Sequence, residues 1–165
     1  MKTIPEDMPR EVVQEGLPAG SERRLVLRLL KYWRGLQDGD WFPPFSAIDN
    51  VEIADMWNDS FVLDLAGHEN DPVFRWFGNG IACRCGGSLI GRHVSEVPEN
   101  CLASVVVTYL DDVLAREAPM SRGGELVLWN GVRILYRSIL MPLSDDGKTI
   151  TGILGGANCR EVTEE

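Results

Sequence analysis

Four cysteines, two histidines and a scatter of carboxylates are the residues in this 165-residue chain whose types could support catalysis or metal binding. Cys83 and Cys85 stand one residue apart, one short of the usual CxxC clasp of zinc and redox sites, and no second clasp follows. Neither His68 nor His93 lies at zinc-finger spacing from them. Free thiols of this kind pack as small apolar groups; a thiol or metal sensor using Cys83 and Cys85 is the alternative. Cys85 or Cys101 as a nucleophile would need a histidine that the sequence does not place nearby. The acids Asp64, Glu96, Asp111 and Asp112 do not assemble with a histidine and a nucleophile, and no glycine-rich phosphate loop is present. The chain therefore reads as a protein that is not an enzyme, with a small enzyme kept as the other alternative.

The elements that would carry these residues follow from periodicity. Residues 1–20 contain Pro5, Pro9, Gly16 and Pro18 without an apolar register, which predicts a flexible N-terminal arm. From Ser21, a plausible N-cap, Leu25, Leu29, Trp33 and Leu36 recur at helical spacing, so an amphipathic helix is expected over 21–37. Arg23, Arg24, Arg28, Lys31 and Arg34 form its basic face. A short helical stretch over 51–57 leads to a strand at 61–65, where Phe61, Leu63 and Leu65 alternate with Val62 and Asp64. Turn residues over 67–72 and a second strand over 73–77 suggest a hairpin, followed by an irregular segment with a short helix near 81–85. The stretch 98–117 reads as one helix from Leu102, Val106, Tyr109, Leu110 and Val113, with Ser95 as a possible N-cap. Apolar runs over 125–129 and 132–143 flank Asn130-Gly131, a pair suited to a two-residue type I′ turn that would set Trp129 opposite Val132 and Val127 opposite Ile134. Tyr136, Ser138 and Leu140 continue that face. The other face would hold Leu126, Leu128, Leu135, Ile139 and Met141, so both sides need a cover. A third strand is expected over 149–157.

Helices interleaved with antiparallel strands give an α+β domain with a sheet of about five strands and helices on one face, the N-terminal helix being left over to cover the second face. The apolar fraction of 44% and charged fraction of 25% fit one globular domain over 21–160, with 161–165 as a tail. The net charge of −9, from 16 basic and 25 acidic residues, repels polyphosphate and argues against nucleic acid. No apolar stretch is long enough to span a bilayer and no secretory signal opens the chain, so a cytoplasmic protein without membrane contact is expected.

The order of these elements and three segments resemble a PAS domain. Residues 86–97 (GGSLIGRHVSEV) resemble the run that enters the long helix of that family. Residues 141–148 (MPLSDDGK), with Gly152 beyond, resemble its last two strands, and residues 74–78 (FRWFG) and 30–33 (LKYW) resemble short single-domain bacterial PAS proteins. The resemblance covers about residues 25–160. It implies a five-stranded antiparallel sheet of order 2-1-5-4-3 and a sensory or interaction module of bacterial signal transduction. Such a module would act by homodimerising through its N-terminal helix and by contacting a signalling protein, with a small molecule in the core as a modulator.

Cofactors can be weighed on the same footing. Flavin-adduct PAS domains carry a cysteine where this sequence has Val94, and haem-binding ones use a histidine within the long helix, where 98–117 has none; both are disfavoured and the cofactor is left unknown. His93 reads as a surface or capping residue. A ligand, if held, would be lined by Trp76, Val106, Tyr109, Trp129, Ile134, Tyr136, Ser138 and Leu154, with Ser138 and Tyr136 supplying the polar groups. Plain core packing is the competing account of the same side chains.

Overall fold

A computed structural model describes residues 21–39 and 41–163; the arm expected over 1–20 and the end of the expected tail lie outside them. Helix α1 (Ser21–Leu36) is followed by a 3-10 turn (Phe45–Ala47), α2 (Ala54–Trp57), β1 (Ser60–Asp64), β2 (Val73–Phe77) and α3 (Asn79–Ala82). A second 3-10 turn (Val94–Glu96) leads to α4 (Leu102–Val106), a third (Val107–Tyr109), α5 (Leu110–Arg116), β3 (Met120–Val127), β4 (Arg133–Leu143) and β5 (Gly152–Glu161). The strands form one antiparallel sheet of order β2-β1-β5-β4-β3, the architecture expected from the sequence.

Two apolar layers sandwich the sheet. On the inner side α3, α4 and α5 close over Phe61, Leu63, Phe74, Phe77, Met120, Ile134, Leu140 and Ile153. On the outer side α1 lays Leu25, Val26, Leu29, Leu30 and Trp33 against Val62, Ile139, Met141, Leu143 and Leu154. Leu29 and Trp33 are fully buried, and removing such side chains from water contributes roughly 1.5–3 kcal/mol each. The Trp33 indole nitrogen donates to the Pro142 carbonyl at 2.7 Å, which satisfies its polar edge and fixes the helix on β4. Of the face expected under α1, Leu135, Ile139 and Met141, the helix covers Ile139 and Met141 within a single chain, while Leu135 is only half-buried and lies outside that cluster.

Three local expectations need correction. The stretch expected as one helix over 98–117 is broken. Ser95 is spent on Asp71, giving its amide at 2.9 Å and its hydroxyl at 2.6 Å to that carboxylate, and Asn100 takes φ of 60°. The helix therefore starts with Cys101 as its cap. The β-branched run Val105-Val106-Val107-Thr108 then weakens the α ladder, and the chain tightens into the 3-10 turn, where the Thr108 hydroxyl donates to the Val105 carbonyl at 2.6 Å. The last strand begins at Gly152 rather than at Thr149, because the Asp146 side chain takes the amides of Lys148 and Thr149, both at 2.8 Å, and keeps those residues in the turn.

The third correction concerns register. Val127 pairs with Arg133 and Leu126 with Ile134, with the Leu128 amide bonded to the Val132 carbonyl at 2.8 Å. The loop is thus the three residues Trp129, Asn130 and Gly131, not two. Only Gly131 takes positive φ, 88°, which fits a type I turn closed by a left-handed glycine rather than type I′. One residue of difference moves every β3 side chain to the other face: Leu126 goes inward with Ile134, and Trp129 leaves the sheet.

Candidate functional site

The inner layer is where the fold gathers its candidate ligand-binding residues, and it holds five of the eight expected there. Val106, Tyr109, Ile134 and Ser138 are fully buried, and Tyr136 packs at the margin of the same cluster. The other three lie elsewhere. Trp76 pairs with Val62 and Leu154 with both Val62 and Met141, so both face outward into the α1 layer. Trp129, half exposed at 50%, sits on the hairpin tip.

Trp76 is displaced by a bulge. Between β1 and β2 the register shifts after Val62, so that Phe61 pairs with Phe77 and Leu63 with Phe74. Arg75 is the extra residue, and its guanidinium lies 3.8 Å from the centre of the Phe45 ring. Phe74 and Phe77, three apart, consequently both turn inward. Trp76 turns outward and stacks on Trp57 at 4.9 Å with its indole nitrogen donating to the Trp57 carbonyl at 3.1 Å. Leu154 is outward because in the run Ile153-Leu154-Gly155-Gly156 both faces are apolar or small, and only the pairing to β1 fixes which residue points where.

The inner layer is filled by rings. Phe61, Phe74 and Phe77 contact one another with centroids 5.1–6.4 Å apart, two of the three pairs edge-to-face. Phe61 lies across Gly155: a Cβ there would fall 2.6 Å from Phe61 Cε1. Glycine at 155 therefore makes space for an aromatic ring of this chain. Val106, Ile134 and Tyr109 pack in the same inner cluster as these rings.

A polar thread crosses this layer. The Tyr109 hydroxyl donates to Ser138 Oγ at 2.7 Å, and Ser138 Oγ donates to the Arg122 carbonyl at 3.0 Å. The Arg122 guanidinium lies 4.8 Å from the centre of the Tyr109 ring and donates to the Asp112 carboxylate at 3.0 Å. Complete burial pushes the Tyr109 hydroxyl above its usual value, the Ser138 hydrogen bond opposing this only in part. These bonds fix the orientation of the Tyr109 and Ser138 hydroxyls. Arg122 was not among the expected site residues, because it precedes the run 125–129 read as strand, whereas β3 begins at Met120.

The chemistry-bearing residues are dispersed. Asp64 caps the Ala66 amide, Glu96 takes the His93 amide at 2.7 Å, Asp112 pairs with Arg122, and Asp111 is exposed. His93 precedes a 3-10 turn as a cap, its Nδ1 2.8 Å from the Asp71 carbonyl and its ring 5.6 Å from that of His68. Cys83 is exposed, with its thiol donating to the Gly80 carbonyl at 3.2 Å, whereas Cys85 is buried. Cys85 meets Cys101 instead, thiol to thiol, a contact between segments sixteen residues apart that spacing could not indicate. Among the described residues no group of three or more metal-ligating side chains converges.

Comparison with solved structures returns light-oxygen-voltage and PAS domains. One, determined in a study of a flavin analogue in a light-oxygen-voltage domain, is 16% identical over 73% of this chain and 87% of its own, with a TM-score of 0.49. The PAS domain of Bordetella pertussis BvgS is 18% identical over 71% of this chain and 89% of its own, with a TM-score of 0.43. No curated protein sequence matches. Sequence comparison with protein families is decisive: the model of a PAS domain family matches residues 22–157, nearly the whole described region, and the chain belongs to that family.

Proposed function

We propose that this PAS domain is a sensory and interaction module of bacterial signal transduction that works without catalysis, by homodimerising and by contacting a signalling protein. The observation that carries this reading is the commitment of both layers. Rings fill the inner one, and α1 spends its apolar face on its own sheet, so the module's output lies on its surface. What α1 leaves outward is Arg24, Leu27, Lys31 and Arg28, the last paired with Asp55, all exposed, in a chain whose net charge is −9. A basic, partly apolar ridge on an acidic molecule favours pairing with a second copy or with another acidic protein, and such complementarity acts mainly on association rate. The same acidity disfavours nucleic acid. Among the described residues no helix is long and apolar enough to cross a membrane, and a cytoplasmic site of action is part of the proposal. A small molecule would modulate the module by displacing inner-layer rings near Tyr136 and Ser138.

Native mass spectrometry of the protein purified from its own host, set against the denatured mass, tests this. A homodimer is expected. A dimer with an added small-molecule mass would identify the modulator. A monomer that stays monomeric at high concentration, and copurifies with no protein, would overturn the proposal.

A further inference from the structure

Cys85 and Cys101 belong to the inner apolar cluster but take no part in the polar thread. Both residues are buried, at 6% and 0% exposure, in the wall formed where α3 gives way to α4. Backbone bonds hold the two segments together: the Leu102 amide donates to the Arg84 carbonyl at 3.1 Å, and the Ala103 amide donates to Cys85 Sγ at 3.3 Å. Cys101 is the cap of α4, its sulfur accepting the Ser104 amide. Cys85 thus follows the acceptor residue Arg84 directly, and Cys101 directly precedes the donor Leu102, which leaves the two thiols facing each other. Outside this wall the chain is exposed on both flanks, at Gly86, Gly87 and Ser88 and at Glu99 and Asn100, and Gly86, Gly87 and Asn100 all take positive φ.

We infer that Cys85 and Cys101 form a reversible disulfide, making the α3–α4 wall a modification site for a peroxide-class oxidant. The reaction balances with hydrogen peroxide as the oxidant. The Cys101 thiolate attacks one peroxide oxygen and the O–O bond breaks; the departing hydroxide takes up the proton released by Cys101 and leaves as water, with a sulfenic acid on Cys101. Cys85 sulfur then attacks the sulfenyl sulfur. The S–S bond forms as the S–O bond breaks, and the Cys85 proton leaves with the hydroxide as a second water. Two thiols lose two electrons and one peroxide is reduced to two waters.

The local electrostatics agree with this division of roles. The contact with Cys85, together with the amides of Ser104 and Ala103, pulls the Cys101 thiol down against the opposing effect of burial. The same contact and burial push the Cys85 thiol up. Cys159 is pushed up to about 11 by burial. The wall also supports the hairpin tip, since the Trp129 amide donates to the Asn100 carbonyl at 3.0 Å and the Trp129 ring would lie 3.8 Å from a Cβ on Gly86. Trp129, half exposed, thus rests against this wall.

The chain carries its own map for the test, because trypsin cuts after Arg75, Arg84, Arg92, Arg116, Lys148 and Arg160, placing the four cysteines on four separate peptides. The folded full-length protein is treated with hydrogen peroxide, quenched, and examined by intact mass and by a non-reducing tryptic map. The expected result is a mass lower by about 2 Da, the two hydrogens lost, with peptide 85–92 joined to peptide 93–116 and the link removed by dithiothreitol. The Cys83→Ser, Cys159→Ser double variant is expected to give the same link, and Cys101→Ser to abolish it. A link between any other pair overturns the inference, as does sulfinic acid without a link, or no change in the native protein. The map on unsubstituted protein decides even if Cys101→Ser does not fold.

Discussion

The two faces of the sheet are covered in different ways, although the same strands supply both. The outer face meets one 16-residue helix, with Ile53 and Met56 beside it, long enough to bury a continuous stripe and anchored by Trp33 on Pro142. The inner face meets α3, α4 and α5, of four, five and seven residues, joined by turns in which glycine and asparagine hold positive φ. Short helices gain little from their own hydrogen bonds and depend on tertiary packing. The difference teaches that the outer cover is a rigid brace while the inner cover is a set of small pieces, and segments of that kind open at lower cost. The polar thread, the aromatic cluster and the paired thiols all lie on the inner side.

The largest effect is expected from attacking the brace. Leu29→Asp places an unpaired charge where exposure is 0%, at a cost of several kcal/mol, on the order of 4. Thermal melting should fall steeply, and limited trypsin digestion should open α1 at Arg28 and Lys31 before it cuts the sheet. An unchanged melting temperature would mean that α1 is not the brace described. If the dimer forms through α1, sedimentation velocity on the same variant should also show a loss of dimer.

Neighbouring glycines on β5 compare the faces directly. Gly155→Ala drives a methyl group into the Phe61 ring, three of whose carbons stand in its way, and that ring is wedged between Phe74 and Phe77. A cost of about 2–3 kcal/mol is expected from such overpacking. Gly156→Ala meets the end of the Leu29 side chain on the outer face, which can change rotamer, and should cost about 1 kcal/mol. Urea denaturation of the pair would rank them; equal losses would refute the idea that inner-layer rings are the less yielding.

A smaller change is expected along the polar thread. Tyr109→Phe removes the hydroxyl that donates to Ser138 but leaves Ser138 its bond to the Arg122 carbonyl, so a loss of about 1 kcal/mol by urea denaturation is expected. A loss as large as that of Gly155→Ala would make the thread, and not the rings, the main element of the inner face.

The smallest effect belongs to the β4–β5 turn, which serves both faces equally. Amides of Thr149 and Lys148 and the Thr149 hydroxyl hold the Asp146 carboxyl well below the ordinary aspartate range. Because the folded-state value lies below the unfolded one, this stability is present above about pH 4 and is lost as pH falls further, toward the folded-state value. Asp146→Asn should therefore flatten the acid limb of a stability profile below about pH 4, while leaving the difference between Gly155→Ala and Gly156→Ala unchanged.

Much of this architecture could be read from the chain. Helical spacing of Leu25, Leu29 and Trp33, alternation in β1 and β4, and the apolar character of both faces of β4 led to a sheet needing two covers, and the motifs at 86–97 and 141–148 led to the family. The candidate site was legible only in part. Ile134, Tyr136 and Ser138 reached the inner layer because β4 was assigned correctly, and Val106 and Tyr109 did so although the one helix expected over 98–117 is broken by a 3-10 turn. Trp76 was misplaced because a bulge at Arg75 leaves no mark in a five-residue pattern, and Leu154 because two apolar faces give alternation nothing to choose between. Trp129 was misplaced because Asn-Gly is compatible with a two-residue or a three-residue loop.

The physical division is one of range. Side-chain period, β-branching and turn chemistry act over a few residues, and they determined which segments are helices and strands, and that α1 is amphipathic. Pairing parity, the bulge, the fit of Phe61 over Gly155 and the meeting of Cys85 with Cys101 depend on which atoms arrive opposite one another across the sheet or across a sixteen-residue separation. Those were decided only in the tertiary structure, where close packing admits one register and excludes the neighbouring one.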